Sequence, residues 1–316
     1  MHVHTSLPLM RRVTLTPPSP YDLALTLTAL ARYPRRVNRW DGTVYRRLFH
    51  LPEHGGAFVD VAVWQDGASD DPRLCIEMRA PATVPPAALD ATQATLTHML
   101  GAAEDIGGFR ARAINDPSLG PLVRGLPGLR LFRKANVTEE VIVDILAQQI
   151  SLPFAYQCKA RLVAAYGPHL TVDDEVRYAM PEAPSLATIT PESVRPLLIS
   201  RQKAAALRAY GEAVTTGALD LATLPALSDA DATAALTQIR GIGPWTAQWV
   251  LGRTLARGAI VPVGDVGVQA MLGTLTGAGR KLTPGEVRTW ANAWGSNALL
   301  ALNYVIIGAW RGIRLA

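Results

Sequence analysis

The chain has 316 residues, 49% of them hydrophobic and 18% charged, which suits two or three globular domains with full cores and excludes a disordered or low-complexity protein. Lys plus Arg number 31 against 26 for Asp plus Glu, a net charge of +5 that suits a nucleic-acid partner without demanding one. Two cysteines, Cys75 and Cys158, are too few for a disulfide framework, a zinc site or an iron–sulfur cluster, so a reducing cytoplasm is the simplest compartment. No apolar run reaches the roughly 18 residues of a membrane-spanning helix, and "MHVHTSLPLMRRVTLTPP" lacks the apolar core and cleavage site of a signal peptide.

In chain order, "PPSPYDLALTLTALARY" places Leu23, Leu27 and Leu30 at helical spacing after a turn-forming Pro-Ser-Pro. "TVYRRLFHL", "GAFVDVAVWQD" and "PRLCIEMRA" alternate apolar and polar residues between Gly, Pro and Asp, and predict antiparallel strands. "VPPAALDATQATLTHML" predicts a helix. A mixed α/β domain over 1–112 follows. The basic stretch "RYPRRVNRWDGTVYRR" within it reads as a solvated face rather than a DNA groove.

From 113 to 316 the chain reads as helix after helix, so the fold class is α+β: an antiparallel-sheet module followed by a mostly helical, two-lobed region. "TEEVIVDILAQQISLPFAYQCKARLVAAYG" predicts one helix with Ile142, Ile145, Leu146 and Ile150 on its apolar face, an N-cap at Thr138, acidic Glu139 and Glu140 in the first turn and a stop at Gly167. "DDEVRYAMPEAPSLATITPESV" reads as loop. Further helices end at Gly217, start from a cap at Ser228 or Asp229, follow the glycine turn at 241–243, and fill "TPGEVRTWANAWGSNALLALNYVIIGAW".

The turn "RGIGPW" joins two helices through about four residues, with the hairpin spanning 230–255. Gly241 and Gly243 permit a positive φ or close backbone approach, and Pro244 suits the first turn of the second helix. The turn offers unpaired amides at a helix N-terminus, a place that attracts anions. A nucleotide-binding P-loop is excluded, because no Gly-Lys-Ser/Thr follows and a helix, not a strand, precedes; a Rossmann fingerprint fails likewise. Two readings remain: a helix–hairpin–helix gripping a DNA phosphate through main-chain N–H groups, or a tight αα-hairpin without a ligand. Downstream, Asp265 stands in "IVPVGDVGVQAML", where Arg257 is the only Lys, Arg or His between Arg253 and Arg280. It reads as a helix N-cap or as a fixed charge for chemistry. Trp245 and Trp249, four residues apart on one helix face, and Trp294 read as core or as pocket walls.

"LTQIRGIGPWTAQW" followed by Asp265 resembles the helix–hairpin–helix, Gly/Pro-rich loop and aspartate of the HhH-GPD DNA glycosylase superfamily, and within it the bacterial AlkA-type 3-methyladenine DNA glycosylases. "PPSPYDLALTLTALAR", "LPGLRL", "DILAQQIS" and "ISRQKAAALRAYGEAV" resemble further segments of that family in the same order, so the likeness covers nearly the whole chain. It implies that Asp265 is the catalytic aspartate and that Trp245, Trp249, Trp294 and Val266 border the base pocket. Gly241, Ile242, Gly243 and Thr246 would meet the DNA backbone. Main-chain carbonyls of Thr237, Ile239 and Ile242 would hold a monovalent cation, Na+ or K+. Gln149 would be the wedge that fills the gap left by a flipped base, where relatives often carry leucine; otherwise it is an exposed polar residue.

The chemistry fits the residues. Breaking an N-glycosidic bond builds positive charge on C1′, which a fixed carboxylate stabilises. No second carboxyl is evident beside Asp265, where Gly264 stands in place of an acidic residue of several relatives. A lone carboxylate suffices for an alkylated purine, which leaves as a neutral base, and a tryptophan face attracts such a cationic ring. Trp245 stands where strand-cutting relatives carry a lysine, and no lysine occurs from Trp245 to Leu255, which predicts a monofunctional enzyme. The small Val266 and Gly267 suggest an open pocket. The expected partner is double-stranded DNA with alkylated bases. No required cofactor, no membrane, a monomer and a bacterial, nucleoid-associated cytoplasmic location complete the reading. The alternatives are a glycosylase for oxidised or deaminated purines and a non-catalytic damaged-DNA binder.

Overall fold

The computed structural model describes residues 7–32 and 36–313. The N-terminal domain holds β1 (Leu9–Leu15), α1 (Leu23–Thr26), α2 (Thr28–Ala31), β2 (Arg39–Trp40), β3 (Tyr45–Leu51), β4 (Ala57–Asp66), β5 (Arg73–Arg79) and α3 (Pro86–Leu100). The strands form one antiparallel sheet in the order β1-β5-β4-β3-β2. Strand alternation sets its buried face: Val59, Val61 and Val63 of β4 and Leu74, Ile76 and Met78 of β5 are wholly covered, packed with Tyr21, Leu27 and the Leu96–Leu100 end of α3. β3, β4 and β5 match the predicted strands. β1 has no such signal because it is an edge strand without a single buried residue. The expected helix after Pro-Ser-Pro is two short pieces broken at Leu27, although Leu23, Leu27 and Leu30 are all buried.

α3 ends at Gly101 in the left-handed region. The next helix, α4 (Gly107–Ala113), buries Phe109 and Ala113 in the C-terminal core. The domain boundary therefore falls before α4, not within it at 112.

The helical region comprises α5 (Gly120–Gly125), α6 (Val137–Ala147), α7 (Leu152–Tyr166), the hairpin β6 (His169–Val172) and β7 (Glu175–Tyr178), α8 (Ala183–Ala187), α9 (Pro191–Val194), α10 (Arg201–Thr215), α11 (Asp229–Thr237), α12 (Pro244–Arg253), α13 (Val266–Leu275), α14 (Pro284–Trp294) and α15 (Ala298–Trp310). It has two cores. One gathers α6 to α12; the other gathers α4, α5 and α13 to α15. α12 serves both, sending Ala247, Val250 and Leu251 into the first and Trp249 into the second. The seam between the lobes runs along this helix, and the site described below lies on it.

Three local expectations are corrected. The stretch 138–167 is two helices, because Pro153 cannot sit inside a helix without losing the bond to residue 149; it opens α7 instead, after an extended Gln148 and a left-handed Gln149. The cap of α6 is Asn136, whose side chain accepts the Glu139 N–H at 2.9 Å; Thr138 is buried, its hydroxyl 2.8 Å from that of Tyr210. The supposed loop at 173–194 supplies β7, and with β6 it forms a hairpin inside the region read as all helical. Arg177 on β7 pairs with Asp60 of β4, tying the hairpin to the sheet.

The basic stretch is a solvated face only in part, with surface ion pairs at Arg39 and Arg46 and a buried one at Arg47. Arg39 pairs with Glu175, Arg46 with Asp41, and Arg47 is buried against Glu139, while Tyr33–Arg35 lie outside the described residues. Among the described residues no helix is long and apolar enough to cross a membrane.

Candidate active site

The glycine turn sits on α10. Gly241 has φ +88°, and a Cβ there would lie 2.3 Å from that of Ala206, so conformation and space both require glycine. Gly243 needs neither: its φ is −101°, nothing crowds it, and it serves as N-cap of α12. The Ile242 N–H is already donated to the Ile239 carbonyl at 3.0 Å, which removes it from the amides expected to meet a phosphate. The N–H groups of Gly241, Gly243, Trp245 and Thr246 have no main-chain partner among the described residues. Thr246 is buried, and its Oγ1 lies 3.4 Å from Gln148 Nε2, so only its main-chain N–H belongs to the unpaired start of the helix.

Gln148 also donates to the Gly241 carbonyl at 3.0 Å. The turn that carries Gln149 is thereby fastened to the hairpin. Gln149 itself is exposed with φ +57°, a protruding position rather than a helix face. The turn's backbone bonds end on the carbonyls of Ala234, Leu236 and Ile239, not on those of Thr237 or Ile242. Those two carbonyls therefore carry no main-chain bond of the turn, and Ile239 keeps one lone pair.

α12 then carries Trp245, Trp249 and Arg253, at successive steps of four, onto a cavity of about 490 Å³ at the lobe seam, a size common for small-molecule sites, roughly 300–1,000 Å³. Asp265 stands at its edge, half-buried, as N-cap of α13. One carboxylate oxygen accepts the Val268 N–H at 3.0 Å and the other the Trp245 Nε1–H at 2.8 Å. The capping and chemical readings of this residue are thus compatible: the cap fixes the carboxylate and the indole orients it. A Cβ at Gly267 would lie 3.1 Å from that carboxylate, so glycine keeps the approach clear.

The other aromatic expectations divide. Trp249 lines the cavity, but the Arg253 guanidinium lies 3.8 Å from its ring centroid, so one face already holds a cation. Trp294 does not reach the cavity: it is buried in the C-terminal core edge-on to Phe109, with Arg112 over its ring at 4.6 Å. Its partners come from α4, an element the sequence reading assigned to the other domain. Val266 points to solvent at 58% exposure, because the cap turns the first residue of α13 outward; Gly267, Val268 and Met271 line the cavity instead. Trp310, to which the sequence assigns no role, is a lining residue from the end of α15.

A cluster of charges also meets at this seam, with no mark of it in the sequence. Glu140 and Asp144, one turn apart on α6, are both buried. Arg253 reaches Glu140 at 2.5 Å and Asp144 at 3.0 Å, and Lys134 lies 3.6 Å from Glu140. Asp144, Lys134 and Arg253 all line the cavity with Asp265. Burial and the neighbouring Glu140 hold the Asp144 carboxyl well above the usual carboxylate range; Arg253 and Lys134 offset this only in part. Acids four residues apart at a helix start look like dipole partners, and nothing in their spacing announces that they are buried.

A helix–hairpin–helix beside an aromatic cavity that holds one capped carboxylate defines the class. Residues 142–296 match the model of the HhH-GPD superfamily base excision DNA repair proteins. It is 30% identical over 190 residues to the DNA-3-methyladenine glycosylase of Bacillus subtilis, covering 60% of this chain and 63% of that protein. It is 36% identical over 152 residues to a putative DNA-3-methyladenine glycosylase of the same organism, YfjP, covering 48% and 52%. The matched part is thus between half and two thirds of the length of these relatives. The fold is similar throughout to that of a 3-methyladenine DNA-glycosylase from Archaeoglobus fulgidus, with a TM-score of 0.81 at 23% identity, covering 97% of this chain and 100% of that one.

Proposed function

We propose that the protein is a monofunctional DNA glycosylase that releases alkylated bases from double-stranded DNA. The observation that carries this is the Asp265 carboxylate, fixed by two donors at the edge of an aromatic cavity next to a phosphate-ready hairpin. The relatives named as 3-methyladenine glycosylases support the choice of substrate.

In this reading the amides of Gly241, Gly243 and the start of α12 grip the backbone, and Gln149 fills the gap left by the flipped nucleotide, whose unstacking costs a few kcal/mol. The base enters the cavity past Trp245. As the C1′–N bond stretches, the Asp265 carboxylate offsets the positive charge growing on the sugar and orients the incoming water. A cation on the carbonyls of Thr237, Ile239 and Ile242 would stiffen the hairpin. Strand cleavage by amine attack is not part of the activity. α12 has no lysine, and Lys134, which does line the cavity, is engaged with Glu140. Borohydride should therefore trap no enzyme–DNA adduct.

The test is base release from methylated DNA. Asp265→Asn should lower it by roughly 10²–10³-fold while leaving binding to an abasic-site duplex intact. Equal release by variant and wild type would sink the enzymatic reading and leave a damaged-DNA binder.

A further inference from the structure

We propose that Asp144 is a second catalytic carboxyl of this cavity, an acid that protonates an uncharged leaving base and so extends the reaction beyond cationic lesions. This rests on the reading of the cavity as the base pocket. The geometry argues it first. Asp144 is 1% exposed and lines the cavity together with Asp265. Its Oδ1 accepts from Arg253 at 3.0 Å, whereas its Oδ2 is buried and has no hydrogen-bond partner among the described residues. An unmatched buried carboxyl oxygen at the wall of a ligand-sized cavity lacks a partner that a bound molecule can supply.

The surrounding charges decide what that oxygen carries. Asp144 shares the cavity wall with Lys134 from before α6, Arg253 from α12, Asp265 at the start of α13 and Tyr156 from α7, and Glu140, one turn back on α6, pairs with Arg253 and Lys134. Arg253 and Lys134 balance Glu140 and Asp265. A third negative charge would be uncompensated, and burial together with Glu140 holds the Asp144 proton on. Two carboxyl groups in one cavity, one clamped by donors and one kept protonated, are a standard division of base and acid roles.

The step balances as hydrolysis. Water adds its oxygen to C1′ and gives a proton to Asp265 or solvent. The C1′–N9 bond breaks with its electron pair going to the purine. The Asp144 proton passes to N7 or N3 of that ring, and solvent reprotonates the carboxylate once the base has left. An N-alkylated purine departs neutral and does not need this proton; a deaminated purine does.

The experiment compares two substrates: a duplex with one deoxyinosine, and DNA carrying 7-methylguanine. Asp144→Asn should lower hypoxanthine release by roughly 10²-fold, the usual reach of a general acid, and by at least about ten times more than it lowers 7-methylguanine release. In the wild type, hypoxanthine release should fall on the alkaline side where 7-methylguanine release persists, a limb that a structural role would not create. That profile decides the matter if the variant does not fold. Equal losses on both substrates, or parallel pH profiles, overturn the proposal. So does a wild type that releases 7-methylguanine but no hypoxanthine, and this leaves the alkylation reading standing. A wild type that releases neither base overturns both.

Discussion

Glu139 and Asp144 lie little more than a turn apart on α6. Both are fully buried, and they face different parts of the molecule. Glu139 points toward the N-terminal domain. One oxygen meets Arg47 at 2.9 Å and the Ala135 N–H at 3.3 Å; the other is 3.8 Å from Lys159. Arg47 is in turn held by Asn38, which Tyr45 also reaches. Burial alone would raise the Glu139 pKa, but Arg47, Lys159 and Lys134 outweigh it and bring it down to about 2. Asp144 points toward the cavity, shares Arg253 with Glu140, and is shifted the other way. The same residue chemistry on one helix thus makes a domain clamp on one side and a proton reservoir on the other. The difference lies in whether every oxygen has a partner.

The sharpest way to break this contrast is stability. Glu139→Gln should cost about 3–5 kcal/mol in denaturant unfolding, since it leaves Arg47 buried without its counter-charge. Asp144→Asn should cost less than about 1 kcal/mol, because the amide still accepts from Arg253 and no charge is lost. Similar losses for both would mean that Asp144 is ionised and structural.

Neither side of α6 was legible in the chain, and the reason is geometric. The hairpin and Asp265 can be read because each is local: glycine, proline, cap and helix start follow one another within a few residues. The cavity cannot. Its walls come from α1, α2, the segment before α6 and from α6, α7, α12, α13 and α15, and an apolar or charged side chain carries no mark of which of these surfaces it will join. Trp294 and Trp310 show the cost, since the first was expected in the cavity and lies in the core, and the second lines the cavity with no motif to announce it. Glu139 and Glu140 looked like first-turn acids for the helix dipole, a role that is satisfied at the surface. Only Pro153 was a missed signal in the strict sense, for it forbids the single helix that periodicity alone suggests.

A second way to sharpen the contrast is acid titration. The folded pKa of Glu139 lies below its unfolded value, so its contribution is present above the usual glutamate pKa of 4.5 and is lost as pH falls toward about 2. That amounts to about 3 kcal/mol, and Glu139→Gln should remove this acid-sensitive part of the unfolding free energy. Asp144 has the opposite sign. Its folded pKa is raised, so its contribution is complete below the unfolded aspartate value and fades as pH rises through the folded one. Stability of Asp144→Asn relative to wild type should therefore improve as pH increases. A flat difference across that range would place the proton elsewhere.

The smallest expected effect tests whether the cavity's two remaining partners act as drawn. Trp245 is both wall and donor: its indole N–H reaches the Asp265 oxygen that the helix cap leaves free. Phenylalanine in its place keeps an aromatic wall but removes the donor. The Asp265 carboxylate then loses one of two restraints while keeping its charge, so the group is misplaced rather than missing. A hydrogen bond to a charged acceptor is worth about 1.5–3 kcal/mol, and the share realised in the transition state should lower base release under saturating DNA by about tenfold. That is well short of the loss in Asp265→Asn. Trp294→Phe is the control, a more deeply buried tryptophan of the same lobe whose ring packs against Phe109 and Arg112 instead of the carboxylate. Its release rate should stay within about twofold of wild type at a temperature where both variants are folded. Equal losses in the two would show that the lobe's packing, and not the indole–carboxylate bond, governs the rate.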